Sequence, residues 1–370
     1  MIVLAVISGV LLLITWVGYP AVVRWMAARI PVCPVTEPEV WPSVSVIVAS
    51  RDTPAAVAAR VADLLAGDYP PDRLSVVIGV DSAHLASVAE YGLADSRVTV
   101  VQREPPGGKA AALNTAVRAA AGEVLVFTDT HQRFAPDAIR VLVQEVTGGP
   151  FGIVSGQLEL PEGKQRSLLD WYWRLERRLR RDEARIFSAV GVSGSIYAMR
   201  RGLWEPLPAG LILDDLYVPM RAILAGHRIG FTSAAKAHDA RRTEPEQEFR
   251  RKVRTLTGNF QLCAWLPAVL VPFRNRAWVQ FVLHKLMRLF TPWLFVVMIA
   301  SGVGALFVRW GWASLAALGG AALLVLLLAQ LLGLWHRLVA YARWFFAMQA
   351  AVAVATLNGL TGRWDVWKHR

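Results

Sequence analysis

Glu123-Val-Leu-Val-Phe-Thr-Asp129-Thr-His131 is the stretch on which the fold turns. Its apolar run does not alternate, which predicts a strand covered on both faces, and an acid follows where the strand should end. The same shape recurs upstream. Val44-Ser-Val-Ile-Val-Ala-Ser50 predicts a first strand, Leu74-Ser-Val-Val-Ile-Gly-Val80 a second that runs into Asp81, and Val98-Thr-Val-Val101 a third. Between them the alanine-rich Pro54–Ala66 predicts a helix that Asp68-Tyr-Pro-Pro71 breaks, and Gly107-Gly-Lys109-Ala-Ala-Ala-Leu-Asn114 opens another to about Ala121. Strands alternating with helices predict an α/β fold with a mainly parallel sheet. Such sheets bind ligands at the carboxyl ends of their strands, where Asp81 and Asp129 fall.

Outside this region the chain changes character. Of 370 residues 55% are hydrophobic and only 18% charged, too apolar for an ordinary soluble enzyme, while 15 Trp and 14 Phe exclude a disordered chain. Met1–Val23, Leu289–Val308, Trp310–Trp335 and Trp344–Gly362 carry no charge, and each is long enough to cross a bilayer. Gln349, Thr356 and Asn358 interrupt the last, which leaves a shorter or re-entrant helix open there. The first run lacks a basic leader and is followed by Arg24 and Arg29, the charge order of a retained anchor with the next residues in the cytoplasm. An integral protein of the inner cell membrane follows. Its expected parts are an anchor over 1–30, a cytoplasmic domain over 31–245, interfacial amphipathic helices over 246–288 and a C-terminal region of two to three spans over 289–370. The side of the C-terminus stays open, because four full spans put it outside while Arg363, Lys368 and Arg370 favour inside.

Forty Lys and Arg against 28 Asp and Glu leave a formal charge of +12. Without a helix-turn-helix, zinc or RNA-binding motif, that excess reads as attraction to anionic lipid rather than to nucleic acid. Leu168–Arg181 has the same flavour: Trp173, Leu175 and Leu179 can share one helical face and Arg174, Arg177, Arg178 and Arg181 another, predicting a helix at the membrane surface. Cys33 and Cys263 are too few for a disulfide framework or a thiolate metal site. Both common nucleotide motifs are excluded. The turn after the first strand is Arg51-Asp-Thr-Pro, without the glycines of a dinucleotide fold. Arg103 stands where a P-loop needs its first glycine, and Ala110 where it needs Ser or Thr.

Six segments, in order, carry a resemblance: Val80-Asp81, Gly107–Asn114, Thr128-Asp-Thr-His131, Val192-Ser-Gly-Ser-Ile-Tyr-Ala-Met-Arg-Arg201, Leu213-Asp-Asp215 and Arg250-Arg-Lys-Val-Arg-Thr-Leu-Thr-Gly258. Together they resemble the membrane-embedded family-2 glycosyltransferases of GT-A fold, among them hyaluronan, cellulose and poly-N-acetylglucosamine synthases, over about Val44 to Leu262 and the flanking helices. The resemblance implies a GT-A domain inserted between N- and C-terminal transmembrane helices. It implies an inverting hexosyl- or N-acetylhexosaminyltransferase that uses a nucleotide-diphosphate sugar, expected to be UDP-linked, in polysaccharide synthesis.

Residue by residue, the resemblance assigns Asp81 to the nucleotide base and Lys109 and Arg251 to the nucleotide sugar. Asp129 would serve both the nucleotide sugar and a divalent cation, Mg²⁺ or Mn²⁺. His131 occupies the place of the second acid of Asp-x-Asp, and imidazole ligates Mn²⁺ better than Mg²⁺. Asp215 becomes the general base and Arg254 the stabiliser of the departing diphosphate, with Ser193, Gly194, Ser195 and Asp214 lining the acceptor. Plainer readings stand beside these: a strand-end turn for Asp81, a solvated loop histidine for His131, glycine turns at Gly107 and Gly194, a helix cap for one of Asp214 and Asp215, and a lipid-facing basic row for Arg250–Arg254. Thr255 replaces the family's Trp, which puts processivity in question and keeps a lipid-linked acceptor open beside a growing polysaccharide. A second copy or an export partner could complete a channel. A membrane scaffold that binds nucleotide sugars without turning them over is the remaining alternative.

Overall fold

The computed structural model describes residues 1–32, 34–81, 91, 93–159, 168–239 and 245–365. Cys33, Lys368 and Arg370 lie outside them. The chain divides into two compact units, Met1–Val22 with Thr243–Phe260 and Phe281–Arg370, and Val23–Arg242 with Gln261–Gln280.

The second unit holds one eight-stranded sheet in the order β3-β2-β1-β4-β7-β6-β8-β5. The strands are β1 (Val44–Ser50), β2 (Leu74–Val80), β3 (Val98–Gln102), β4 (Val124–Thr128), β5 (Arg133–Phe134), β6 (Ile153–Glu159), β7 (Tyr197–Arg200) and β8 (Ile229–His238). β1 pairs in parallel with β2 and β4, and β2 with β3, so the predicted parallel core is present. It is buried on both faces: Val46, Ile47, Val48, Ile78, Leu125 and Val126 are without exposure. That explains why these strands read as unbroken apolar runs rather than as alternating ones. Past β4 the sheet turns mixed, β7 running antiparallel to both β4 and β6.

Helices α1 (Pro54–Leu65), α2 (Lys109–Ala119), α3 (Ala138–Gly148), α4 (Leu168–Ile186) and α5 (Asp214–Leu224) belong to this unit, and α6 (Pro245–Trp265) begins in the other unit and ends in this one. α1 starts on a capping Thr53, whose hydroxyl accepts the Ala56 N–H at 3.4 Å, with Pro54 in the first turn. α4 keeps the expected buried Leu179 and exposed arginines but differs in what else it buries. Its buried side carries Glu176, Leu179, Asp182 and Glu183, with Arg180 closing on Glu176 at 3.3 Å, whereas Trp173 and Leu175 are only half-buried. The exposed row is Trp171, Arg174, Arg178 and Arg181, one helical face at spacings of three and four.

Among the described residues four helices are long and apolar enough to cross a membrane: Ile2–Ala27, which lies in the first unit up to Val22, and Thr291–Trp310, Trp312–Leu331 and Trp335–Leu360, all of the first unit. Most of their side chains are exposed, and an apolar surface of this extent suggests a membrane protein. The last is a continuous 26-residue helix rather than a short segment. Two of its polar residues have partners in this unit, Asn358 donating to Thr257 at 3.2 Å and Thr356 receiving the Trp293 indole N–H at 3.4 Å, whereas the Gln349 Oε1 is buried without one. Trp16 donates likewise to Thr291 at 3.1 Å, which joins the first and second of these helices.

Candidate active site

The parallel register sets Ser50 beside Val80 and Val48 beside Thr128, so β1, β2 and β4 end along one rim. Asp52, Asp81 and Asp129 follow those ends. At β2, the Asp81 N–H binds the Ser50 carbonyl at 2.8 Å, and the Asp81 carboxylate is almost wholly covered. Arg51 Nε donates to its Oδ2 at 2.8 Å, Gly108 N–H to its Oδ1 at 2.9 Å, and Arg103 Nε pairs with Oδ1 at 2.5 Å. Gly107 has φ of +91°, and a Cβ there would strike the Arg103 guanidinium at 2.3 Å. This glycine therefore keeps Arg103 on Asp81 and permits a backbone turn that L side chains rarely adopt.

Gly108 precedes α2 and Lys109 is its first residue. The Lys109 ammonium lies 3.4 Å from Asp129 Oδ1 and 3.3 Å from Asp214 Oδ2. Burial pushes its pKa down, but Asp129, Asp214 and Asp215 together more than reverse this, so it stays above the ordinary lysine range. A cation and three carboxylates from three separate elements thus meet. Asp214 and Asp215 form the first turn of α5, where acids favour the helix dipole, and no side chain caps that end. Asp214 is buried and Asp215 half-buried.

Residues 193–195 join the same cluster. Ser193–Ile196 is a tight turn, closed by the Ile196 N–H on the Ser193 carbonyl at 3.0 Å, and the Val192 N–H binds the Asp215 carbonyl at 3.0 Å. Ser195 Oγ donates to Asp129 Oδ2 at 3.3 Å. A Cβ on Gly194 would lie 3.3 Å from Asp215 Cβ and 3.5 Å from its Oδ2. Beneath lies an aromatic stack, with Phe127 4.6 Å from Tyr197 and 5.2 Å from Trp204. The Tyr197 hydroxyl is fully buried without a hydrogen-bond partner. Burial, then the three nearby acids, raise its pKa well above the usual phenol range and keep it protonated.

Exposure alternates along the loop after β4. Thr128, Thr130 and Gln132 are buried, while Asp129 and His131 are each about one-third exposed on the opposite side (37% for both side chains). Thr130 donates to Ser50 at 2.8 Å, and His131 Nε2 is 2.9 Å from Asp52 Oδ1. Among the described residues no three acid, His or Cys side chains converge as a metal cage. The donor set fits a cation that takes most of its ligands from a diphosphate, as Mg²⁺ and Mn²⁺ do beside one or two protein groups. Asp129 and His131 would hold it, and its charge would offset that of the leaving diphosphate.

Arg251 and Arg254 fall one turn apart on α6, in Thr243–Phe260. Arg251 is exposed, Arg254 half-buried, and Thr255 returns its hydroxyl to the Arg251 carbonyl at 2.9 Å. Four residues missed in the sequence belong to the site or its support. Arg51 and Arg103 hold Asp81, and Asp52 holds His131. Arg60 is wholly buried, pairs with Asp63, donates to Thr128 Oγ1 at 2.7 Å and lies over the Phe134 ring at 4.4 Å. Burial lowers its pKa to about 10 despite Asp63. Position 60 lies on the buried stripe Val57, Arg60, Val61, Leu64, where a charge among apolar residues was the available signal.

A half-parallel, half-mixed sheet with acids at its strand ends, a glycine-lysine helix start and an acidic helix start facing it defines a GT-A nucleotide-diphospho-sugar transferase. Residues 42–258 match the family described as "Glycosyltransferase like family 2", more than half of the chain, and the protein belongs to that family. Among solved structures, the mannosyltransferase PcManGT from Pyrobaculum calidifontis, in complex with GDP-Man and Mn²⁺, is similar at a TM-score of 0.70 and 22% identity, covering 97% of this chain and 99% of that one. GalNAc-T7 with UDP, GalNAc and Mn²⁺ gives 0.46 and 18%, over 61% of this chain and 48% of that one. TarS from S. aureus gives 0.41 and 15%, over 63% and 44%. No curated protein matches the sequence.

Proposed function

We propose that the protein is an inverting glycosyltransferase of the cytoplasmic membrane face, moving a hexosyl or N-acetylhexosaminyl group from a UDP-sugar to a hydroxyl of a cell-surface polysaccharide. The observation that carries this is the Lys109–Asp129–Asp214 cluster with Asp215 beside Gly194. Lys109 would take the diphosphate charge that now falls on the carboxylates. Asp215 would accept the proton of the acceptor hydroxyl as that oxygen attacks the anomeric carbon, and the diphosphate would leave from the opposite face. A single base on the acceptor side corresponds to inversion. Arg254 would add charge to the departing diphosphate and Arg251 would contact the donor, both in keeping with the family motif. Ser193, Gly194, Ser195 and Asp214 would line the acceptor.

Uridine is supported by the chemistry around Asp81. A carboxylate offers about four acceptor sites. Arg51 and Gly108 donate to it and Arg103 pairs with it by charge, which leaves acceptor capacity for a further N–H beside two guanidinium groups. Uracil presents one N–H between two carbonyls, whereas guanine presents two adjacent donors. This reading stands despite PcManGT having been solved with GDP-Man. A second reading, transfer to a lipid-linked acceptor, is favoured by Thr255 in place of the family's Trp.

The test is nucleotide release from a panel of UDP- and GDP-sugars by purified full-length protein in lipid nanodiscs, with Mg²⁺ or Mn²⁺ and an Asp215→Asn control. Release of UDP from one UDP-sugar, lost in Asp215→Asn while UDP binding persists, supports the proposal, and radiolabelled product size separates polymer from glycolipid. Normal turnover in Asp215→Asn removes the base assignment. Preference for GDP-sugars overturns the uridine assignment, and absence of all nucleotide binding overturns the transferase reading.

A further inference from the structure

Asp52 is more fully engaged than a turn residue needs to be. Its N–H binds Ser50 Oγ at 3.0 Å, its Oδ2 receives the same hydroxyl at 3.2 Å, and its Oδ1 meets His131 Nε2 at 2.9 Å. Ser50 in turn receives Thr130 Oγ1 at 2.8 Å. The loop after β1 and the loop after β4 are therefore tied together at two successive residues, Thr130 and His131. An ionised carboxylate only accepts hydrogen bonds, so the imidazole nitrogen facing Asp52 carries the proton. The neutral ring then keeps its lone pair on Nδ1. A carboxylate fixing the tautomer of a histidine in this way is the usual support of a metal-ligating imidazole.

We infer that Asp52 is a positioning residue, holding the His131 ring so that Nδ1 serves as the second protein ligand of a Mn²⁺-preferring site with Asp129. The inference rests on the donor-site reading above. It also gives a reason for histidine at 131: an imidazole held this way supplies a fixed neutral donor beside Asp129, where a second carboxylate would face Asp52. Asp52 acts on the cation only through His131, which separates it from a third ligand.

The experiment measures free Mn²⁺ by electron paramagnetic resonance during titration of the full-length protein in nanodiscs with UDP present. Asp52→Asn is expected to weaken Mn²⁺ binding about 10- to 100-fold. In a His131→Ala background, itself weakened, adding Asp52→Asn should change nothing further. In a His131→Asp background the site should lose its preference for Mn²⁺ over Mg²⁺. Unchanged Mn²⁺ affinity in Asp52→Asn overturns the inference while leaving the donor site intact. An equal loss in the His131→Ala background also overturns it, because Asp52 would then act without the histidine. If the wild type binds UDP but no Mn²⁺, the inference and the metal assignment both fall. If it binds neither, the donor site itself is refuted.

Discussion

Gly194 lies so close to Asp215 that a single added methyl would sit 3.3 Å from the acid's Cβ. The tight turn Ser193–Ile196 and the start of α5 thus meet with no side chain between them. Gly194→Ala should push the carboxylate or the turn by a few tenths of an ångström. Because misplacement of a reacting group is costly, turnover is expected to fall about 10- to 100-fold with UDP affinity unchanged. Steady-state kinetics and calorimetry on the same sample would separate the two effects.

Lys109 neutralises carboxylates from β4 and α5. Replacing it by Met should weaken UDP binding at least about tenfold, the scale of a charge-assisted hydrogen bond. The sign of its pH dependence follows from its raised pKa. A raised basic pKa means its contribution is complete below the unfolded lysine value and lost only as pH climbs through the higher folded one. UDP affinity measured from about pH 7 to about pH 9 should show no step from this residue.

Asp129→Ala should abolish the part of UDP binding that needs a divalent cation, while cation-independent binding through Asp81 and Lys109 persists. Titrating UDP with and without chelator distinguishes them, and a retained metal effect would remove Asp129 from the site.

Arg60→Met should destabilise the domain by roughly 3 kcal/mol, since it leaves the largely covered Asp63 carboxylate with only the Phe134 N–H and removes the donor on Thr128. Arg60→Met with Asp63→Leu should recover much of that loss. Thermal unfolding followed by tryptophan fluorescence gives the comparison.

Burial pushes the Cys263 thiol up to about 11. In a Cys33→Ser background, alkylation at neutral pH should run about a hundredfold slower than in the denatured chain, in line with the smaller thiolate fraction.

The parallel strands were legible because they are buried on both faces: β1 and β2 have the predicted bounds, and β3 and β4 shift by one residue. That Asp81 and Asp129 follow strands and that Lys109, Asp214 and Asp215 open helices was legible because strand ends and helix starts are marked by local sequence. Their supports were not. Arg60 reaches Thr128 across 68 positions and Asp52 reaches His131 across 79, and nothing local records such pairings. α4 was legible in part. Its arginines and tryptophans gave an amphipathic pattern, yet the buried side takes acids that are satisfied by partners.

β7 pairs antiparallel with β4 through Phe127 and Tyr197, whose rings also stack. The rim that carries Asp129 and the turn that carries Gly194 are therefore welded to one stiff plate. A hinge between them would have to tear backbone hydrogen bonds and unstack two aromatic rings at once. On the proposed function, closure over a bound sugar would come from segments hung on the outside of that plate rather than from movement of Asp129 against Gly194.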